Sequence, residues 1–557
     1  MRALLNAAHD GDTITLPAGR FSWTSCLEIT KGITLKGQTT ITGAGTSNPA
    51  ITDETILKDD TPRSGINTGM IIVNMMPSQS FRLTGITFAP GSSTIFASGP
   101  GLIRLGHLGY AAPNTSMRVD HCHFTAPIYQ PVLLTVGGWI YGVADHNVME
   151  VTGNMQPFFV SHAAWNNKLF GNGSWADYPW YGTEKFFFIE DNTVRRTGIM
   201  VRTLVDSIAG GRWVARHNYL LNVIPSGHGT EAGAPRGQRA NEFYDNTINA
   251  QIPWGGGVQR SGTSLWHDNT YIGLESNGDI HTHLDNYRET AARPDPVWGI
   301  ADGTSPWDMN DTEGNGTYVE GHPPFLFASG SATSGTTVSG EQATFSDSTK
   351  NWTPNQWIGY SVRNTDRASG SYGRGSYIIS NGAHSITYAY TLVSPGIGQL
   401  NFNAGDTYEI HRVLVMMDQN GRGKGDQITG RPQPINTTTG TAKWNHGALE
   451  PCYSWNNIYT PNGHALEYGV RRGQPTTKLN VDFFNLGGGF PADTTPSAVS
   501  STYTAALNGV DYVGTFVYPH PLVSGIQRPP SATRGPSNTF RKKGKKLKGK
   551  GEQKNRR

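Results

Sequence analysis

Cysteine and charged residues are both scarce in this chain of 557 residues. Its three cysteines, Cys26, Cys122 and Cys452, lie far apart and lack the spacing of a metal site, so we expect buried thiols. Only 16% of the residues are charged, which is low for a helical protein, whereas 69 glycines and 33 prolines supply turns. This composition predicts many short strands joined by tight turns.

Long apolar runs are missing too. No stretch approaches the ~20 residues that a transmembrane helix needs, so we expect no membrane span. The N-terminal sequence MRALLNAAHDGDTITLPAG has no signal-peptide core and leads at once into strand-like sequence. We expect a secreted or cell-surface protein, and its export signal is not present in this chain.

The net charge of +3 arises entirely at the C-terminus. Residues 541–557 hold ten Lys and Arg and one Glu, whereas the first 540 residues hold 35 basic and 41 acidic side chains, a net charge of −6. A mildly acidic body excludes a general nucleic-acid-binding protein, so we expect no specific nucleic-acid partner. Residues 526–557, rich in Pro and Ser and then in Lys, are predicted to form a disordered basic tail.

One short pattern recurs along the chain. A hydrophobic residue, two polar residues, an asparagine and another hydrophobic residue return in FIEDNTV (188–194), VARHNYL (214–220), EFYDNTI (242–248) and LWHDNTY (265–271). The spacing of the asparagine is 22–28 residues, with one step of 45 that corresponds to two turns. The marker position is occupied in turn by Cys122, Asn147, Asn192, Asn218, Asn246, Asn269, Asn457 and Phe484.

Such a unit cannot bury its own hydrophobic face and must stack on its neighbours. Helical repeats of this length need 3.6-residue periodicity, whereas these segments alternate and are broken by Gly and Pro. An asparagine at a recurring corner tolerates a left-handed backbone, and its amide can bond to the coils above and below. The sequence therefore predicts an all-β fold, a right-handed parallel β-helix with a short N-terminal capping helix.

The motifs GDTITLPAG, ITLKG, LTGITF and VDHCHF resemble the pectate-lyase-like superfamily of right-handed parallel β-helix proteins. The resemblance covers most of residues 1–327, the first part of the β-helix, and 414–525, its last coils and C-terminal cap. It implies the fold but leaves the reaction open, because the fold hosts lyases, hydrolases, esterases, tailspikes and adhesins.

Residues 328–413 break the rhythm, and we expect an inserted small β domain there. A Ser/Gly/Thr-rich stretch leads into strand-like segments without the asparagine marker. Trp352, Trp357 and Tyr360 suit either a sugar-stacking platform or, as we favour for the tryptophans, the core of a small sheet.

The loop SGHGTEAGAPRGQRANEFYDN, at 226–246, concentrates groups that suit β-elimination of a uronic-acid polymer. That reaction needs a cation for the substrate carboxylate, a base for the adjacent C–H and a donor for the leaving oxygen. Arg236 and Arg239 suit the first role, and His228 can act as base or acid. The predicted catalytic residues are His228, Arg239, Arg236 and Glu231, although salt bridges shaping a loop would give the same cluster.

Hydrolysis stays open as an alternative, because it needs two carboxylates, one of them protonated. Glu231 with Glu242, or Glu231 with Asp206, would provide them. Gly227–His228–Gly229 is similar to the Gly-His-Gly signature of polygalacturonases, but their Asn-Thr-Asp, Asp-Asp and Arg-x-Lys signatures are not found.

Substrate-binding residues are expected on loops and on neighbouring coils. The loop at 162–185 is rich in aromatic residues, which either stack on sugar rings or pack the loop onto the helix wall. Arginines on adjacent coils suit an acidic ligand. The predicted substrate-binding residues are Trp175, Trp180, Tyr181, Arg202 and Arg260.

No metal ligand is assigned, and Ca²⁺ is the cofactor that stays open. His281, His283 and Asp285 alternate along a strand and would face the same way, which suits a metal. The stretch WDMNDTEGNG, at 307–316, is acidic and Gly-rich like a calcium loop but lacks EF-hand spacing.

Together these observations predict a carbohydrate-active enzyme that cleaves an acidic polysaccharide, with a lyase preferred over a hydrolase. The alternative from another class is a non-catalytic glycan-binding protein, either an adhesin or a tailspike-like β-helix. We expect a monomer or a trimer.

Overall fold

The computed structural model describes residues 1–62, 69–92, 101–107, 112–125, 132–152, 156–162, 179–198, 202–208, 210–227, 238–285, 326–340, 342–358, 360–372, 375–390, 400–412, 420–421, 451–472, 477, 479–480, 482–487 and 514–524. Helix α1 (Arg2–Ala7) comes first and buries Leu5 against the core. Strands are numbered in chain order. Among these residues, no helix is long and apolar enough to span a membrane.

Most strands stack coil upon coil into three parallel faces. Face A contains β1 (Thr13–Thr15), β4 (Thr34–Lys36), β9 (Phe81–Thr84), β12 (Asn114–Asp120), β15 (Ile140–Asp145), β18 (Phe187–Glu190), β22 (Arg212–Arg216), β26 (Ala240–Tyr244), β29 (Thr263–His267), β39 (Cys452–Trp455) and β43 (Phe483–Asn485).

Face B follows face A in each coil. It contains β2 (Gly19–Trp23), β7 (Thr55–Asp59), β10 (Thr87–Pro90), β13 (His123–Phe124), β16 (Val148–Thr152), β19 (Thr193–Thr197), β23 (Tyr219–Leu221), β27 (Thr247–Ala250), β30 (Thr270–Gly273) and β40 (Ile458–Tyr459), with β41 (His464–Ala465) antiparallel to β40.

Face C precedes face A in each coil. It consists of two consecutive sheets whose adjoining strands contact each other. The first contains β3 (Leu27–Ile29), β8 (Ile71–Met75), β11 (Ile103–His107), β14 (Val132–Gly137), β17 (Gln156–Ser161) and β21 (Val205–Ile208). The second contains β25 (Ser226–Gly227), β28 (Gly257–Gln259), β31 (Ile280–Asp285) and β42 (Glu467–Arg472). A parallel pair, β20 (Arg202–Thr203) and β24 (Val223–Ile224), lies between faces B and C in chain order.

The core runs along the axis of the coils, because alternate residues of each strand point inward. On face A the buried row Leu83, Val119, Ala144, Ile189 and Ala215 is in register from coil to coil. The predicted all-β fold, a parallel β-helix with a short N-terminal helix, is confirmed.

The asparagine ladder stands at the corner between faces A and B. Asn192 donates from Nδ2 to Oδ1 of Asn218 (3.1 Å), and Asn218 donates likewise to Asn246 (2.9 Å). The same contact joins Asn147 to Asn192, Asn246 to Asn269 and Asn269 to Asn457, and the Cys122 backbone N–H caps the row on Asn147 Oδ1. The prediction that the asparagines share one edge is therefore confirmed.

The left-handed residue at this corner is the one before the asparagine, so that part of the prediction was wrong. The left-handed residues are His121, His146, Asp191, His217, Asp245, Asp268 and Asn456, with φ between 49° and 55°. Asn, Asp and His tolerate this conformation better than most residues. Phe484 does not occupy the marker position either, because it lies within β43 opposite Tyr453.

Two further sheets accompany the coils. A hairpin of β5 (Thr40–Thr42) and β6 (Ala50–Thr52) reaches several coils along the helix, where Gly45 N–H donates to Thr193 Oγ1. The antiparallel sheet is β32 (Leu326–Ser331), β38 (Thr407–Arg412), β35 (Tyr360–Asn364), β36 (Gly375–Asn381), β37 (Ser385–Ala389), β34 (Gln342–Ser346) and β33 (Thr337–Ser339).

The antiparallel sheet has a hydrophobic core of its own, which includes Phe345, Trp357 and Tyr408. Trp352 meets Trp357 edge-on at 6.3 Å and packs on the same core, as expected for core tryptophans. The proposed domain boundaries at 328 and 413 stay a prediction, and the predicted disordered tail lies outside the described residues.

Candidate functional site

The predicted catalytic loop begins and ends beside face C. His228, Glu231 and Arg236 lie outside the described residues, as does Trp175. At one end, a Cβ on Gly227 would come within 1.9 Å of the Gln238 side chain, so the two ends of the loop are in contact. Gln238 is fixed there, because it accepts from Trp213 Nε1 (3.0 Å) and donates to Ser261 O (3.2 Å).

The two predicted arginines that flank this loop differ in exposure. Arg239 follows Gln238, and its side chain is fully buried. Arg260 is half-buried and follows β28 on face C, and its backbone N–H donates to Gly227 O (3.0 Å). The structure therefore places Arg260, rather than Arg239, where a ligand on face C can reach it.

The predicted aromatic residues lie on another face. Tyr181 is buried and packs with Phe186 and Phe188 on the outward side of face A. Trp180 is half-buried, and Lys185 Nζ lies 3.3 Å from the centre of its ring. Tyr181 and Trp180 therefore lie on a different face from Arg260. The backbone of Arg202, in β20, pairs with Val223.

A β-bulge separates the three residues considered as metal ligands. Thr282 pairs with Tyr468 although Ile280 pairs with Glu467, so β31 carries one extra residue, His281. His281 consequently points into the core, where Nε2 lies 2.8 Å from Ser454 Oγ and the ring stacks on Trp266. The expectation that His281, His283 and Asp285 face the same way was wrong.

His283 and Asp285 lie instead with arginines on the outward side of face C. Asp285 is fully buried and accepts from Arg471 Nη2 at 2.7 Å, while the Arg471 side chain keeps 45% of its area exposed. Gln259 is opposite Leu284, so Arg260 and Asp285 come next to each other on neighbouring strands. We call Arg260, His283, Asp285 and Arg471 the face C cluster.

The surroundings of His283 favour the neutral form of its imidazole. Burial lowers the pKa of His283, and the positive charge of Arg471 lowers it further, against opposite effects of a hydrogen bond to the Gly255 backbone and of the Asp285 charge. In an earlier coil of the same face, Asp206 Oδ1 is buried and has no hydrogen-bond partner among the described residues. In the face C cluster, His283 thus lies beside Arg471, a cation that the carboxylate of Asp285 holds in place.

Arg471 was missed by the sequence argument. It belongs to the coil that follows the antiparallel sheet, and it lies 186 positions after Asp285, its nearest neighbour in the cluster along the chain. The available signal was the pair of arginines in VRRG, at the end of the strand EYGVRR.

Two clusters among the described residues bring possible cation ligands within 4.8 Å of one another. The first, Asp120, His121 and Asp145, does not fit a cation, because Arg82 and Arg118 already bind both carboxylates. The second, Glu275, Asp279 and His464, is partly exposed, and His464 Nδ1 already lies 3.2 Å from Glu275 Oε1 and 3.5 Å from Asp279 Oδ1. The calcium-like stretch at 307–316 lies outside the described residues.

No family model matches the chain, and no curated protein matches it. A solved structure of a PL6 family alginate lyase, AlyGC, shares 14% identity over 51% of this chain and 39% of its own length, with a TM-score of 0.31. This chain therefore matches less than half of that lyase.

A tailspike protein of E. coli bacteriophage HK620, solved as a double mutant with a pentasaccharide, shares 12% identity. The match covers 72% of this chain and 87% of the tailspike, with a TM-score of 0.18. The β-helix assignment rests on the parallel sheets described above, since TM-scores this low carry no functional argument.

Proposed function

We propose that this chain is a carbohydrate-active enzyme that cleaves an acidic polysaccharide by β-elimination on face C. The observation that carries the proposal is the position of the half-buried His283 imidazole beside the Arg471–Asp285 pair. A long parallel face also suits a linear polymer, because each coil presents the same strand spacing to successive sugars.

The chemistry follows from these groups. Arg471, held by Asp285, would pair with the uronate carboxylate and so acidify the C–H next to it. His283 would accept that proton as its electron pair forms the C=C bond and the glycosidic C–O bond breaks. Arg260 would bind a neighbouring carboxylate.

The leaving oxygen must receive a proton to complete the reaction. His228, at the start of the loop that leaves Gly227, is proposed as this donor. Arg236 and Glu231 of the same loop are proposed as further substrate contacts, and the buried Arg239 as a residue that supports the loop. Trp175, Trp180 and Arg202 are proposed to bind substrate beyond the cleaved bond, and the buried Tyr181 is proposed to support the loop that carries Trp180.

The test is turnover of polygalacturonate, alginate and chondroitin sulfate by the full chain. Reducing ends report cleavage by either reaction, and ultraviolet absorbance of the unsaturated sugar reports elimination alone. Reducing ends without this absorbance would indicate a hydrolase, and binding without either signal would indicate a glycan-binding protein.

Two substitutions assign the site. Arg471→Gln should lower kcat/KM by about 100-fold, the scale of a lost charge-assisted contact of ~2–3 kcal/mol. His283→Gln should lower kcat by about 100-fold, the usual contribution of a general base. Arg20→Gln, which changes an exposed arginine on face B, is the matched control and should keep wild-type activity. Full activity in a folded His283→Gln protein would remove this residue from the reaction.

A further inference from the structure

A cavity on face A, away from the face C cluster, has the features of a second ligand site. It has a volume of about 610 Å³ and lies between the outward side of the early coils and residues 522–524. Arg82, Arg118, His121 and His146 line it, together with the hydroxyl-bearing residue Ser524. Cavities of this size are typical of small-molecule sites.

Two histidines occupy equivalent corner positions in this cavity. His121 and His146 both have a left-handed backbone, with φ of 49° and 52°, and their rings stack in parallel 5.2 Å apart with an angle of 3°. Because the coils repeat every ~4.8 Å, the two imidazoles present the same edge at a regular spacing. About one third of each side chain is exposed.

The carboxylate next to each histidine fixes the orientation of its ring. His121 Nδ1 lies 2.9 Å from Asp120 Oδ2, and His146 Nδ1 lies 2.9 Å from Asp145 Oδ2. A carboxylate at Nδ1 selects the tautomer with its proton there, so neutral Nε2 is an acceptor. Among the described residues, no hydrogen bond reaches Nε2 of either ring.

The same carboxylates hold two guanidinium groups. Arg82 donates to Asp120 at 2.7 and 2.6 Å, and Arg118 donates to Asp145 at 2.8 and 2.7 Å. Arg118 also donates from Nη1 to Leu522 O (3.0 Å) and is nearly buried, whereas the Arg82 side chain is 43% exposed. Arg82 is therefore the cation with room for a ligand.

We propose that this cavity binds a carboxylated sugar. Arg82 would donate to the sugar carboxylate, while Nε2 of His121 and Nε2 of His146 would accept from neighbouring hydroxyl groups. The site shares only its ligand class with the proposed function, because it lies on face A and contains none of the face C cluster. It would hold an acidic polymer at a distance from the reacting bond.

The chain offers a conservative substitution and a matched control. Asn456 occupies the same left-handed corner in a later coil, so His121→Asn with His146→Asn should preserve the backbone while removing both imidazoles. His217→Asn changes the same kind of corner outside the cavity, where the ring packs against Tyr518 with the ring centres 3.8 Å apart and the planes tilted by 38°.

The test is calorimetric titration of the full chain with digalacturonate at several pH values from ~7 to ~9, because Nε2 accepts only on a neutral ring and the hydrogen bond to Asp145 raises the pKa of His146. The double His→Asn variant should bind at this site at least about tenfold more weakly, as should Arg82→Gln, while His217→Asn should match the wild type. Unchanged binding in the double variant would overturn the proposal. Binding of inorganic sulfate as tight as that of digalacturonate would also overturn it, because it would indicate a site for any anion.

The two proposals fail in different ways. Arg471→Gln should lower kcat/KM by about 100-fold and leave the face A site intact, whereas the double His→Asn variant should retain kcat on short substrates. A protein without lyase activity that still loses digalacturonate binding on His→Asn substitution would contradict the proposed function alone. If Arg471→Gln removed all digalacturonate binding, the face A site would not exist.

Discussion

Glu242 gives the sharpest stability prediction, because its carboxyl group is buried and none of the described cations forms an ion pair with it. It lies on the outward side of face A between Val214 and Leu265, and only 1% of its area is exposed. Its Oε1 accepts from Gly182 N–H (2.8 Å), while Oε2 has no hydrogen-bond partner among the described residues. Burial therefore raises the pKa of Glu242 to about 7, against smaller opposite effects of Gly182 and Arg216.

The sign of the effect on stability follows from this shift. Between pH ~4.5 and ~7 the folded protein keeps the proton of Glu242 while the unfolded chain releases it. The contribution of the protonated group is complete below pH ~4.5 and is lost as the pH rises to about 7. A change in pKa from 4.5 to about 7 corresponds to about 3 kcal/mol of unfolding free energy.

Urea unfolding followed by tryptophan fluorescence at several pH values from ~5 to ~8 measures this contribution. Other groups titrate in the same range, so the informative quantity is the difference between wild type and Glu242→Gln. That difference should change by about 3 kcal/mol across the range in favour of the variant at high pH. Glu54→Gln, at an exposed carboxyl, should show no such change. Equal pH dependence of wild type and Glu242→Gln would refute the reasoning.

Three further predictions concern the ladder, the antiparallel sheet and the loop. Asn218→Ala removes buried bonds to two coils and should lower the unfolding free energy by about 3 kcal/mol, whereas the exposed Asn48→Ala should not, as urea unfolding will show. Deletion of residues 330–411 with the ends bridged should leave one cooperative unfolding transition by calorimetry, since the sheet has its own core, and a lost transition would contradict this. His228→Ala should lower kcat by about 100-fold in steady-state kinetics with an unchanged melting temperature, and a parallel fall of both would indicate a structural role.

The sequence alone determined the coil. Segments with a hydrophobic residue on either side of an asparagine return every 22–28 residues, and they can bury these hydrophobic side chains only by stacking on one another. The spacing of Asn192, Asn218 and Asn246 therefore predicted both the fold and a shared edge. The ladder of hydrogen bonds between the asparagine side chains confirms the shared edge. The antiparallel sheet could also be anticipated, because the marker disappears there.

Tertiary structure decided which side chains meet. The bulge at His281 turns that ring into the core. The sequence IHTHLD does not predict the bulge, because the bulge arises from the pairing of β31 with β42. Arg471 joins His283 and Asp285 only because the chain returns to the coil after the antiparallel sheet. Tyr181 packs on face A in a cluster that joins its own coil to Val143, Val214 and Leu265 of other coils. Repetition specifies the strands, whereas contacts between distant coils specify the site, and these depend on register that a single strand does not carry.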